Sequence, residues 1–359
     1  MKPWFMLFSF LAFASVSFAQ DTLPSDGLSI TPQDGHTIFI DSIDQAQTSI
    51  DMIMYHITDP LVVDHIISAQ KRDVKVRIIE DQQSFSKASA KALADQMTAA
   101  GVEVHPGSTG FSITHAKSAV FDKTWALVTS INMTKTDSFT RDYGIRTYDA
   151  DVVNEFESVF ETDLQNSQTG GNSTPALSVG KLAWSPVNSK DKILAFLNSA
   201  KQSIFIEVEN LGDRDILSAL EAQAKQGVKV TVIVPACVEG GGTRNLSYVS
   251  TLASAGVDAR LSMPPYTRTN PYIHAKAIVV DQQSFYVGSE NLSYNSLTQA
   301  RELGILESNA NISSVILMAF NYDYKLASVP SQVSSSLNCD SFDSFPNNSP
   351  QTSPGQAAH

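Results

Sequence analysis

Two runs in this chain combine residue types that can do phosphoryl chemistry. They are Thr114-His115-Ala116-Lys117-Ser118-Ala119-Val120-Phe121-Asp122 and Ile273-His274-Ala275-Lys276-Ala277-Ile278-Val279-Val280-Asp281. Seventeen residues past each histidine stands an asparagine, in Thr129-Ser130-Ile131-Asn132 and Gly288-Ser289-Glu290-Asn291. Each run then reaches an acidic residue before Gly-Ile, in Asp142-Tyr143-Gly144-Ile145 and Glu302-Leu303-Gly304-Ile305. His and Lys two apart on a β-strand project from the same face. The apolar residues after them bury the strand, and the closing Asp suits a tight hairpin turn at Lys123-Thr124 or Gln282-Gln283. The returning arm brings Asn132 or Asn291 beside the His and Lys. Each half therefore offers an imidazole, an ammonium and an amide, and together they suit a tetrahedral anion with two ester bonds, a phosphodiester. Lysine is no usual metal ligand, and neither half has a second His or a carboxylate at ligand spacing, so neither metal nor cofactor is expected.

An internal repeat must position these groups. Thr31-Pro32 recurs as Ser185-Pro186, Ala46 as Ala200, Ser49-Ile50 as Ser203-Ile204 and Val74-Lys75-Val76 as Val228-Lys229-Val230, all 154 residues apart. Gly101-Val102 recurs as Gly256-Val257 and the His-x-Lys run recurs 159 residues on, so the second half carries a few extra residues before its motif. Within each half, helical and strand patterns alternate. Helix 37–47 leads to strand 49–55, helix 60–72, strand 74–79 and helix 87–100. In the second half the matching segments are 191–201, 203–209, 216–226, 228–234 and 246–255. This order predicts an α/β fold of two pseudo-symmetric lobes, each a mixed, largely parallel sheet flanked by helices, with one shared cleft. The lobes are expected over 28–164 and 181–330. Gln165–Gly180, with its Gly170-Gly171-Asn172-Ser173-Thr174-Pro175, reads as the linker between them.

The chain has 359 residues, 42% of them hydrophobic and 17% charged, which excludes a wholly disordered chain, a collagen-like repeat and a coiled coil. Its formal charge of -12 disfavours broad nucleic-acid binding. With two cysteines there is no disulfide framework; at most Cys237 and Cys339 form one bridge. Lys2 and the apolar run Trp4–Phe18, ending in small residues at 17 and 19, read as a signal peptide over 1–19, so export to the periplasm or medium is expected. Residues 331–359 are rich in Ser, Pro, Asn and Gln and read as a flexible tail.

His-x-Lys-x4-Asp followed by Gly-Ser-x-Asn, present twice, resembles the signature of the phospholipase D superfamily and looks like its bilobal members. The resemblance runs from about Thr31 to Val329. It implies metal-independent, two-step phosphodiester transfer through a phosphohistidine. By position, one of His115 and His274 is the nucleophile, with His115 favoured, and the other is the general acid. Lys117, Lys276, Asn132 and Asn291 would hold phosphate oxygens, with Ser130 and Ser289 beside them. Asp122 and Asp281 complete the motif and are carried with the catalytic set, and Asp142 and Glu302 match the acid that orients an imidazole. One departure is Thr129, which stands where the pattern has Gly. A second is Asp142, a methylene shorter than Glu302.

Among the diesters that such enzymes cut, phospholipid is the expected substrate, giving phosphatidic acid and a headgroup alcohol. The chain lacks Lys/Arg clusters, whereas a nuclease usually shows a basic track. Met263-Pro264-Pro265-Tyr266, Pro271-Tyr272 and Phe111 are expected at the cleft mouth, where they would touch a bilayer surface transiently. A metal-independent exported nuclease is the alternative, its aromatics stacking on bases. A catalytically silent phosphate-binding protein is the third. No stable protein partner is implied, and a monomer is expected.

Overall fold

The computed structural model describes residues 27–333, 337 and 339, apart from 136–138, 179 and 240–241. The expected signal peptide and most of the expected tail lie outside the described residues. The first lobe contains β1 (Leu28–Ile30), α1 (Thr37–Gln45), β2 (Ser49–Met54), α2 (Pro60–Lys71), β3 (Lys75–Glu80) and α3 (Ala88–Ala99). It continues through β4 (Glu103–Pro106), β5 (Lys117–Phe121), β6 (Trp125–Thr129), β7 (Thr140–Arg141), β8 (Tyr143–Thr147) and α4 (Ala150–Thr169). The second repeats this order: β9 (Leu182–Ser185), α5 (Ser189–Asn198), β10 (Ser203–Val208), α6 (Arg214–Lys225), β11 (Lys229–Pro235) and α7 (Arg244–Ser254). Then follow β12 (Asp258–Ser262), β13 (Tyr272–Ile273), β14 (Lys276–Val280), β15 (Ser284–Gly288), α8 (Tyr294–Thr298), β16 (Glu302–Ser308) and α9 (Ala310–Leu326). α4 runs five residues into the stretch read as a linker and stops where Gly170 takes φ +72, a left-handed cap that suits glycine.

Each lobe has a seven-stranded sheet, in the orders β1-β8-β6-β5-β2-β3-β4 and β12-β11-β10-β14-β15-β16-β9. The sheets are mixed, but less parallel than expected. Only β2, β3 and β4, and likewise β10, β11 and β12, run parallel, because helical crossovers join them. The tight β5–β6 and β14–β15 hairpins force antiparallel pairing through the rest.

The outer face of each sheet packs under its own helices, through Ile50, Met52, Val62, Ile66 and Val76 in one lobe and Ile204, Ile206, Leu220, Val230 and Val232 in the other. The inner faces share one core between the lobes, which includes Val120, Val128, Phe156, Trp184, Val279, Phe285 and Phe320. This is why β5, β6 and β14 are buried at every residue instead of alternating. No helix among the described residues is long and apolar enough to cross a membrane. The Cys237–Cys339 disulfide is present, and Val333 and Leu337 pack on the second lobe's core, so the start of the tail is pinned there.

Two short backbone contacts knit the lobes. β13 lies parallel to β7, with Tyr272 opposite Thr140 and Ile273 opposite Arg141, and Thr114 bridges to Arg301. Both arginines are buried. Arg141 is clamped by Asp323 of α9, with N–O distances of 2.5 and 3.2 Å. Arg301 donates to Asp163 of α4 at 2.8 Å and lies over the ring of Phe111. Replacing Asp323 or Asp163 by Ala strands a buried guanidinium. Either variant is expected to lose about 3–5 kcal/mol of unfolding free energy in a denaturant titration.

Asp122 and Asp281, carried with the catalytic set, belong instead to the scaffold. Both take positive φ in the hairpin turn. The Asp122 carboxylate accepts from the backbone N–H groups of Gln47, Thr48 and Ser49, and Asp281 accepts from Lys201, Gln202 and Ser203. Each thus ties the hairpin to the start of β2 or β10, about 17 Å along the strand from the lysine of its motif. Partial burial acts to raise these carboxyls, but the backbone donors outweigh it and hold both below their usual value. Asp122→Ala or Asp281→Ala should each cost about 1–3 kcal/mol at neutral pH. That contribution is fully present above the ordinary carboxylate range and is lost as pH falls through about 4 and below, which thermal melts across pH will read.

Candidate active site

The interlobe contacts set the site by register. With Ile273 opposite Arg141, the next residues, His274 and Asp142, come together; with Thr114 opposite Arg301, so do His115 and Glu302. The backbone confirms both pairings, since His274 N–H donates to Arg141 O at 3.2 Å and His115 N–H to Arg301 O at 2.8 Å. Nδ1 of His274 lies 2.8 Å from Asp142 Oδ1, and Nδ1 of His115 lies 2.8 Å from Glu302 Oε2. Each lobe therefore orients the other lobe's imidazole. Because a carboxylate only accepts, Nδ1 carries the proton in both rings and Nε2 is left for chemistry.

Lys117 and Lys276, with 0% and 1% exposure, fold back so that Nζ donates to the carbonyl of the histidine two residues earlier, at 2.7 and 2.5 Å. Burial, and then the Lys276 ammonium, pull Lys117 down to about 7. Burial likewise lowers His115 to about 4, Lys117 adding to it while Glu302 opposes. His274 behaves oppositely: burial would lower it, yet Asp142 and Glu209 outweigh burial and Lys276, and it is raised. One imidazole is thus neutral and the other favours its proton, in a water-poor cleft with buried cations. Asn132 and Asn291 are both buried. Asn132 Oδ1 has no hydrogen-bond partner, and Asn291 Oδ1 accepts from Asn210 N–H.

Ser130 and Ser289 do not face substrate as expected. Ser130 Oγ donates to Asp142 Oδ1 at 2.6 Å, and Ser289 is exchanged with the backbone of Leu303. They therefore brace the strands that carry the acids. Nor do the aromatics line an apolar mouth. Phe111 is buried under Arg301, Tyr266 donates to Ser262 O, and Tyr272 is buried with its hydroxyl on Glu209.

The sequence reading missed Ser296, which donates to Glu302 Oε1 at 2.5 Å, and both buried arginines. Glu209 follows β10 directly and enters the cleft, with Oε2 3.2 Å from Lys276 Nζ and 3.3 Å from Asn291 Nδ2. Its signal was a pair of carboxylates, Glu207 and Glu209, in the otherwise mostly apolar run Ser203-Ile204-Phe205-Ile206-Glu207-Val208-Glu209. Glu209, Glu239 and His274 bring ligand-type atoms within 4.8 Å of one another. Lys276 already supplies a cation there and would repel a divalent ion, so these three are not assigned to a metal.

The family model described as "Cardiolipin synthase, PLD-like domain" matches residues 39–164 and 193–324. The 5'-3' exonuclease PLD3 of Bos taurus is 28% identical over 149 residues, covering 42% of this chain and 30% of that protein. The major cardiolipin synthase ClsA of Bacillus subtilis is 27% identical over 137 residues, 37% of this chain and 27% of that one. The matched stretch thus spans under a third of either relative. The fold is shared with the phosphatidylserine synthase of Haemophilus influenzae at TM-score 0.65 and 13% identity, over 84% of this chain and 87% of the other. With its two matched halves lying on the two lobes and its two motifs meeting across them, the chain belongs to the phospholipase D superfamily.

Proposed function

We propose that the chain is an exported phosphodiester hydrolase or transferase acting on phospholipids, releasing phosphatidic acid and the headgroup alcohol through a phosphohistidine. One observation carries the chemistry: two imidazoles, each oriented at Nδ1 by the opposite lobe's acid, share a cleft with two buried lysines. One neutral imidazole attacks phosphorus while the other, protonated, gives its proton to the leaving oxygen. Water or an alcohol then releases the phosphoryl group, the second ring now acting as base. The lysines offset charge that grows on the equatorial oxygens.

The acidic surface and the carboxylate of Glu209 inside the cleft favour a lipid headgroup over a polyanionic strand. The match to an exonuclease supports nucleic acid as the second reading.

His115→Ala and His274→Ala should each lower turnover by about a thousandfold or more in a chain that still folds, and EDTA should have no effect. Incubation with a phosphatidyl lipid and a primary alcohol, and separately with single- and double-stranded DNA, tests the substrate. Exchange on lipid without cleavage of DNA is expected; the reverse selects the nuclease, and strong inhibition by EDTA overturns the mechanism. Turnover needs His115 neutral and His274 protonated. The rate should therefore rise through about pH 4 and fall only above the ordinary histidine range, giving a bell in kcat/KM against pH.

A further inference from the structure

The repeat is broken at one place inside the cleft. Tyr55 and Glu209 follow β2 and β10 at equivalent positions, 154 residues apart, each just past the strand residue that pairs with its motif lysine. In the first lobe the place is filled by an uncharged ring, 4.7 Å from the ring of His115 and 5.0 Å from Lys117 Nζ. In the second lobe it is filled by a carboxylate. Glu209 is held on all sides: Oε1 accepts from Tyr272 at 2.9 Å, Oε2 from Lys276 and Asn291, and its carbonyl from Asn245. Although burial would raise it, the neighbouring Lys276 and His274 charges and the Tyr272 hydroxyl hold it ionised, well below the usual carboxylate range.

Its Oε2 stands 3.8 Å from Nε2 of His274. That is beyond a hydrogen bond but close in charge terms, so the carboxylate stabilises an imidazolium without engaging the proton on Nε2. His274 thus has a carboxylate at each end, Asp142 from the β7–β8 junction and Glu209 from β10, with Glu239 also near. Opposing them are Lys276 of β14 and, across the cleft, His115. Tyr272 of β13 lies alongside. His115 has one hydrogen-bonded carboxylate, Glu302, with Glu209 farther off, and faces Lys117, Lys276, His56 and the Tyr55 ring.

We propose that Glu209 is the positioning residue that divides the labour of the two histidines, holding His274 as the proton donor and leaving His115 as the nucleophile. This rests on the phosphodiester reading above. In the first step the Nε2 lone pair of His115 forms an N–P bond, the P–O bond to the leaving group breaks, and the proton on His274 Nε2 passes to the leaving oxygen. In the second, His274 Nε2 takes a proton from water, the water oxygen bonds to phosphorus, and the N–P electrons return to His115.

The test uses the whole chain and Glu209→Gln. The imidazoles, labelled with 13C and assigned with His115→Ala and His274→Ala, are titrated by NMR. His274 should keep its proton to higher pH than His115. In E209Q it should lose it about one pH unit or more lower, with His115 little moved. The alkaline limb of kcat/KM should move down equally, and lower pH should restore rate. The loss should be large for a diester with an alkyl leaving group and slight for one with p-nitrophenolate, which needs no acid. An unmoved His274, equal losses on both diesters, or phosphate trapped on residue 274 would overturn the proposal. Should E209Q fail to fold, Tyr55→Glu puts a carboxylate in the matching place and should raise His115; an unmoved His115 then overturns it. A chain with the expected split in its histidines that cleaves no diester removes the phosphodiester reading and upholds the coupling of Glu209 to His274. One that cleaves diesters with unsplit histidines does the opposite.

Discussion

Everything chemical in this protein depends on two short stretches of backbone pairing between the lobes. β13 lies on β7 for two residues, and Thr114 meets Arg301 for one. Pairing of strands is a matter of register, and a slip of one residue turns every side chain to the other face. Such a slip would move His274 away from Asp142 and His115 away from Glu302 together. The buried Arg141–Asp323 and Arg301–Asp163 pairs peg this register, because a guanidinium taken out of water is tolerated only where its carboxylate waits. Each of these acids comes from the long helix of the lobe opposite its arginine. The lobes are therefore cross-braced by the same logic that orients their histidines.

The cleft collects an unusual density of buried ionisable groups: two lysines, His274 and the carboxylates of Asp142, Glu209 and Glu302, with His115 nearly buried beside them. Any one of these alone would cost several kcal/mol to desolvate. They persist because each is set against others, His115 against Glu302, His274 against Asp142, Lys276 against Glu209. The same dry surroundings that make isolated charges costly strengthen every interaction with a phosphoryl group. Two identical halves would leave both imidazoles in the same state. The exchange of Tyr55 for Glu209 and of Asp142 for Glu302 breaks that balance, and His115 and His274 are driven in opposite directions.

Much of this was legible in the residues. The repeat located both lobes, and the helix and strand segments fall within a few residues of their places. His115, Lys117, His274, Lys276 and the two asparagines were singled out by type and spacing; the histidines, lysines and Asn291 meet in the cleft, and Asn132 is buried. Asp122 and Asp281 stood in the same motif, yet a motif does not say which members face the ligand; a strand long enough to place them at its other end made them turn clamps. Ser130 and Ser289 likewise turn to the strands behind them. The parallel share of the sheets was overread, because helix–strand alternation dominates the first part of each repeat while hairpins build the rest.

Local pattern and repetition by themselves determined the number of lobes, the course of the chain within each and the groups that can handle a phosphate, since these rest on periodicity and residue type over short spans. Tertiary structure alone decided that each acid serves the other lobe's histidine, that Glu209 enters the cleft, and that the aromatics expected at its mouth are packed inside. The histidine–acid pairs join residues more than a hundred positions apart across the interface, and Glu209 meets Lys276 and Asn291 67 and 82 positions away within its own lobe. Charge and burial at such a meeting are set by both partners at once, and neither partner's own stretch of sequence records them.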